Sequence, residues 1–167
     1  MKKFTFLVLA VFVIALLPLP HAEAYETTNQ AAFATQDGKT GVYLIAFEFG
    51  HEKYDIHMPL SAFKSTAVSN PYVSYSIVDN EEEQAKGDSV GLVLSTARLQ
   101  NGMYVVPKGK KMKFTLIAFY TPSADETESD FRLQVNHLPF SFNGAQKLQL
   151  NVSELKYYTT GLQTLTK

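Results

Sequence analysis

No cysteine and no tryptophan occur among the 167 residues. Without cysteine the chain has no disulfide, no thiol nucleophile and no thiolate for a metal, and no cysteine to carry a lipid anchor. An exported fold of this composition must be held by packing alone, which requires a full-sized core. The missing tryptophan removes the ring best suited to stacking on sugars. Together the two absences lean towards a bacterial rather than an animal origin. Charge of one sign is also lacking, with 15 Lys and Arg against 16 Asp and Glu. Nucleic acid and anionic membrane both require a basic face, so neither is expected as a partner. Helical periodicity is nearly absent, and no long apolar run follows residue 24.

What is present begins with an export signal. Lys2 and Lys3 precede an apolar run from Phe4 to Leu17, broken only by Thr5. Pro18 and Pro20 end it, and Ala22-Glu23-Ala24 offers the small residues a signal peptidase accepts. This three-part pattern reads as a cleavable secretory signal over 1–24, with Tyr25 as the mature N-terminus. The run is shorter than the ~20 residues of a spanning anchor, so no stable membrane insertion is expected after cleavage. No wall-sorting or lipidation signal is read in the tail. Removing the signal leaves thirteen basic and fifteen acidic residues in a chain of one domain's length. A secreted, periplasmic or cell-surface location follows.

Alternation of period two dominates the rest. Residues 25–40 lack periodicity and read as an irregular lead, with the folded domain over 41–167. Tyr43, Ile45, Phe47 and Phe49 share one face, as do Tyr54, Ile56 and Met58 in the next segment. Pro59 marks that segment as an edge strand, since proline cannot donate to a central ladder. Val73, Tyr75 and Ile77 follow, and then Val90, Leu92 and Leu94 offer an apolar face within a strand over Val90–Leu99. Asn101-Gly102 is a two-residue hairpin turn, because both positions tolerate positive φ. After a turn at Pro107-Lys108-Gly109-Lys110, the clearest face of all is Met112, Phe114, Leu116, Ala118 and Tyr120. The next segment slips in phase. Phe131, Leu133 and Val135 have one parity and Leu138, Phe140 and Phe142 the other, which predicts a bulge at Asn136 or His137, or a change of sheet there. Asn143-Gly144 turns, 148–152 reads as a last short strand, and 153–158 as a single helical turn. The whole predicts an all-β fold, one immunoglobulin-like antiparallel sandwich of about seven to eight strands.

Chemistry-bearing residues are sparse. His51, Asp55 and His57 share a side if the segment is extended, and two imidazoles with a carboxylate suit zinc or copper. The same alternation makes them the wet face opposite Tyr54, Ile56 and Met58, and this is the reading adopted. Two acidic loops, Asp79 to Glu83 with Asp88 and Asp125 to Asp130, offer oxygens for calcium without the spacing of an EF-hand. Counting strands puts them at opposite ends of the sandwich, as solvated turn charge. No Gly-x-Ser-x-Gly elbow occurs, and His137, at the phase slip, reads as no general base. Gly38-Lys39-Thr40 ends like a phosphate loop but lacks its first glycine. Lys108, Lys110, Lys111 and Lys113 form a solubilising hairpin tip. Asn151-Val152-Ser153 is a glycosylation sequon where the host has that machinery. No catalytic, cofactor-binding or metal-binding residue is assigned, and no cofactor is implied.

The stretch Gly102-Met103-Tyr104-Val105-Val106-Pro107-Lys108-Gly109-Lys110 followed by Phe114-Thr115-Leu116, with Phe131 to Phe140 after it, resembles uncharacterised bacterial exported immunoglobulin-like β-sandwich proteins. The resemblance covers residues 102–142. It implies the fold and carries over no activity and no functional residue.

The function read from all this is a non-enzymatic structural or protein-interaction module of the cell envelope, with a protein or envelope component as partner. A carbohydrate-binding module is the alternative, using Tyr25, Tyr72, Tyr157 and Tyr158 as the tyrosines the core does not claim. A metal-dependent hydrolase on the His51–His57 segment is the remote alternative.

Overall fold

The alternating segments become strands of a two-sheet sandwich. The computed structural model describes residues 24–67, 71–144, 146–149 and 155–166. The export signal therefore lies outside the described residues except for Ala24, as do residues 150–154 near the C-terminus. The strands are β1 (Ala24–Ala34), β2 (Gly41–Gly50), β3 (Ile56–Pro59), β4 (Ser61–Lys64), β5 (Val73–Val78), β6 (Gly87–Ser95) and β7 (Arg98–Gln100). They continue with β8 (Met103–Val106), β9 (Lys111–Pro122), β10 (Asp130–His137), β11 (Pro139–Phe142), β12 (Gln146–Gln149) and β13 (Gln163–Thr164). The larger sheet has the order β1-β2-β9-β6-β4-β5-β10-β13, and the smaller β12-β11-β3-β8-β7. Pairing is antiparallel except between β4 and β5, which run parallel.

The described strands outnumber the expected seven or eight because β1, β4 and β13 carry no readable period and because the chain twice changes sheets inside segments that read as continuous. One break is at Thr96-Ala97, which divides Val90–Leu99 into β6 of the larger sheet and β7 of the smaller. Another is at Leu138, and there the phase slip is realised twice over. Val135 pairs with Tyr75 and His137 with Ser74, so Asn136 is the extra residue of a bulge. Its amide donates to Ser65 O at 2.8 Å and to Ser76 Oγ at 2.6 Å, which holds the bulge. Immediately after it, β11 pairs with β3 in the other sheet. The bulge and crossover let Phe131, Leu133, Val135, Leu138, Phe140 and Phe142 all be buried despite their opposite parities.

The core lies between the sheets and is largely aromatic. Tyr43, Phe49, Tyr75, Phe114, Tyr120 and Phe131 are fully enclosed. Phe47 stacks on Phe114 at 5.6 Å and 11°, while Phe49 meets Phe140 edge-on at 5.1 Å. Each such side chain contributes about 1.5–3 kcal/mol on burial, so a core of this size replaces the absent disulfides.

Three expectations are corrected here. Residues 25–34 are not an irregular lead but most of β1, which pairs with β2 through a register shift between Tyr25 and Asn29. That irregular register, and the alanines within it, hide the period from the sequence. β3 is not an edge strand, since it lies between β11 and β8. Pro59 fits because it ends the strand beyond the β11 pairing and opposes only Met103 of β8. The short strand read at 148–152 begins two residues earlier, as β12 at Gln146–Gln149, with residues 150–152 outside the described ones, and β13 follows it.

Candidate interaction surface

The metal-like set does not converge. His51 Nδ1 accepts from the backbone N–H groups of Lys53 and Tyr54, at 3.1 and 3.2 Å. Its ring packs 4.8 Å from Phe142 and 5.1 Å from Tyr54. Asp55 accepts from the Lys108 backbone N–H at 2.8 Å and so ties the β8–β9 turn to the β2–β3 loop. His57 lies on β3 opposite Val105 and Ser141. His51 and Asp55 have separate structural roles, and among the described residues no three His, Asp or Glu side chains gather as a metal site.

The acidic loops are at the same end of the molecule, contrary to the strand count. Splitting Val90–Leu99 into β6 and β7 adds one reversal, which changes the parity. Arg132 on β10 bridges to Glu82 at 2.7 Å, and Lys86 N–H donates to Glu126 at 2.6 Å. The loops serve their own backbones. Asp79 accepts from Glu81 and Glu83 N–H, and Glu126 from Lys86, Thr127 and Glu128 N–H. Burial pushes the Glu126 carboxyl up, but those amides and the Lys86 charge outweigh it and hold the group below its ordinary range. Close by, Lys64 donates to Ala85 O and Gly87 O at 2.8 and 3.0 Å, with its ammonium 5.3 Å over the Tyr120 ring. Partial burial lowers its pKa.

Of the tyrosines proposed for sugar stacking, Tyr158 is buried in the core and packs 5.6 Å from Phe47. Tyr157 is exposed with the Lys156 ammonium 4.7 Å over its ring. Tyr72 meets Phe63 at 5.2 Å with the rings 70° apart, so the pair is not one flat platform. The Tyr25 side chain lies outside what is described.

The conspicuous surface is the outer face of the larger sheet. Val90, Leu92 and Leu94 do not face the core, as their apolar character suggests. The inward positions of β6 are Gly87, Ser89, Gly91 and Val93. A side chain at Gly91 would begin only 2.4 Å from the Tyr75 ring, and the Tyr75 hydroxyl lies 2.9 Å from Ser89 Oγ. The ring of Tyr75 fills the space that small residues on β6 leave, and the apolar parity is turned outward.

There it joins others. Register aligns Phe33, Val42, Phe119 and Val90 in one row across β1, β2, β9 and β6. Ala31, Leu44, Ile117 and Leu92 form the next row, and Ala46, Thr115 and Leu94 continue it. Val90 is 68% exposed, Phe33 51%, Leu94 47% and Phe119 44%. Glu48 and Lys113, opposite each other, bound the face at one end, and Asp88 and Thr121 at the other. A solvated antiparallel sheet face is ordinarily polar, and a contiguous exposed apolar area marks a binding surface. The sequence did carry its signal. β2 and β9 are apolar on both parities, with Leu44 and Ala46, and Ile117 and Phe119, beside the core sets.

No family model and no curated protein matches this sequence. Among solved structures, the CooA pilin subunit from enterotoxigenic Escherichia coli aligns over 81% of this chain and 88% of its own, at 6% identity and a TM-score of 0.34. At that identity and score the match assigns neither fold nor function. Among the described residues no helix is long and apolar enough to cross a membrane.

Proposed function

We propose that this is a non-enzymatic, exported interaction module of the cell envelope, of immunoglobulin-like sandwich type, which works by docking the outer face of β1, β2, β9 and β6 on a protein surface. The observation that carries the reading is the outward apolar parity of β6, continuous with Phe33, Phe119 and Ile117. Water does not reward such a face, and burial of even half of it would contribute several kcal/mol at ~25 cal/mol per Å². His51 and Asp55 are occupied by backbone hydrogen bonds and, for His51, ring packing, which supports a surface as the working part.

In this reading residues 1–24 direct export and are removed, and the remainder folds as one domain. Intact mass of the exported protein should correspond to a chain beginning at Tyr25. The docking claim is tested by placing a photo-crosslinking residue at Val90 in cells, with Leu99, exposed on β7, as the reference position. Covalent adducts specific to position 90 are expected. Equal yields at both positions, or none at either, would refute the reading.

A further inference from the structure

The outer face is two-ended, and that polarity selects what covers it. β9 begins beside the turn carrying Lys108 and Lys110, with Lys113 on the face itself. It ends at the loop holding Asp125, Glu126 and Glu128, and Asp88 occupies this end of the face, opposite Thr121. On β2 and β9 the rows also differ in bulk. On one side of the Leu44–Ile117–Leu92 row stand Val42, Phe119 and Val90, and on the other Ala46, Thr115 and Leu94.

We propose that a second copy of this chain covers the face in a two-fold, face-to-face dimer, an inference that rests on the face being a docking surface. A two-fold axis lying across the strands along the Leu44–Ile117–Leu92 row reverses the strand direction of the second copy. Phe119 then sits over Thr115 of that copy, so large meets small on β9, while the exposed Val90 meets its Leu94 as an apolar pair. The same operation brings Lys113 of each copy, with Glu48 beside it, to the end where the other carries Asp88, Lys113 lying one strand from Asp88 and Glu48 two. Such an interface is isologous, since every contact occurs twice. Four strands ~4.8 Å apart and about seven residues at ~3.4 Å each give ~450 Å² of flat face. With the relief of the protruding side chains, two copies together bury ~1,000 Å² or more, the lower bound for a specific interface.

Sedimentation equilibrium of the exported protein, from micromolar to near-millimolar, should show a monomer–dimer equilibrium. Phe119→Ser should abolish it while leaving the melting curve in place. Asp88→Lys and Lys113→Asp each set like charges against each other at both ends, and each should weaken dimerisation roughly tenfold or more. Mixed in equal amounts, these two variants should recover a heterodimer, because every end then pairs opposite charges. No other arrangement of partners requires that recovery. A wild type that stays monomeric throughout, or a mixture no tighter than its components, would overturn the proposal. A monomeric wild type that still forms Val90 adducts in cells, with a mass other than two copies, would remove the second copy and leave the docking surface standing. Loss of the adducts as well would remove the surface.

Discussion

Replacing Gly91 by alanine sets a methyl group into the ring of Tyr75. The new carbon would lie 2.4 Å from Cε1, 2.8 Å from Cζ and 2.7 Å from the hydroxyl oxygen. Carbon contacts are comfortable at ~3.5–4.0 Å, so the ring must retreat by about 1 Å. Tyr75 is fully buried, in an interior packed as densely as an organic crystal. Overpacking of this kind costs ~1–3 kcal/mol. The retreat also breaks the 2.9 Å contact between Tyr75 and Ser89, worth about 1 kcal/mol. Gly91 has no positive φ, so alanine brings no backbone strain and recovers ~0.4–1 kcal/mol from the unfolded chain. The net loss should be about 2 kcal/mol. Val90→Ser, one residue away at 68% exposure, should stay within ~0.5 kcal/mol. Urea melts of the two variants measure both numbers. Adding Tyr75→Leu to Gly91→Ala should give a loss smaller than the sum of the two single changes, because the partner of the clash is gone. A costly Val90→Ser beside a neutral Gly91→Ala would mean that β6 presents its other face to the core, and the outer apolar surface would not exist.

Three further outcomes are expected. Phe114→Ala should cost ~3–5 kcal/mol in a urea melt, since the ring is fully buried against Phe47, while the exposed neighbour Lys113→Ala should stay within ~0.5 kcal/mol; equal costs would break the strand register. Glu126→Ala leaves three backbone donors without their acceptor and should cost ~1–3 kcal/mol at neutral pH. Because the folded carboxyl sits below the ordinary glutamate value of 4.5, its stabilisation is present above that pH and fades as pH falls through the folded pKa; the variant should lose less stability on acidification, and an unchanged acid slope would contradict this. Zinc or copper should leave the melting temperature unmoved, since His51 and Asp55 are engaged by backbone groups; a bound metal at 100 times its Kd would add ~2.7 kcal/mol, and a shift abolished by His57→Ala would reinstate the site.

Strands whose neighbours confirm them were legible. The phase slip at Asn136 was readable because six large apolar residues on two parities cannot all be buried by an unbroken strand. The Asn101-Gly102 turn was readable because positive φ, at 51° and 74°, suits those two residues. β1 was not legible, since its shifted register and small residues carry no period, and only pairing with β2 makes it a strand. The face of β6 was misread because the alternation tells which residues share a side and not which side is inward. That choice is made by Tyr75, which belongs to another strand and needs the space over Gly91. The break at Thr96-Ala97 was hidden too, and with it the placing of both acidic loops at one end. The surface was half legible, in strands apolar on both parities, but a strand buried on both sides reads the same way.

Hydroxyl-radical footprinting in intact cells, compared with the dilute purified protein, tests most directly whether the outer face is covered where the protein works. Phe33 and Phe119 stand on that face and Tyr157 belongs to none of its four strands, all three exposed in the isolated molecule. All three should oxidise readily in dilute solution. In cells Phe33 and Phe119 should be protected, with Tyr157 still oxidised. Undiminished oxidation of Phe119 in cells would contradict an interaction surface on this sheet.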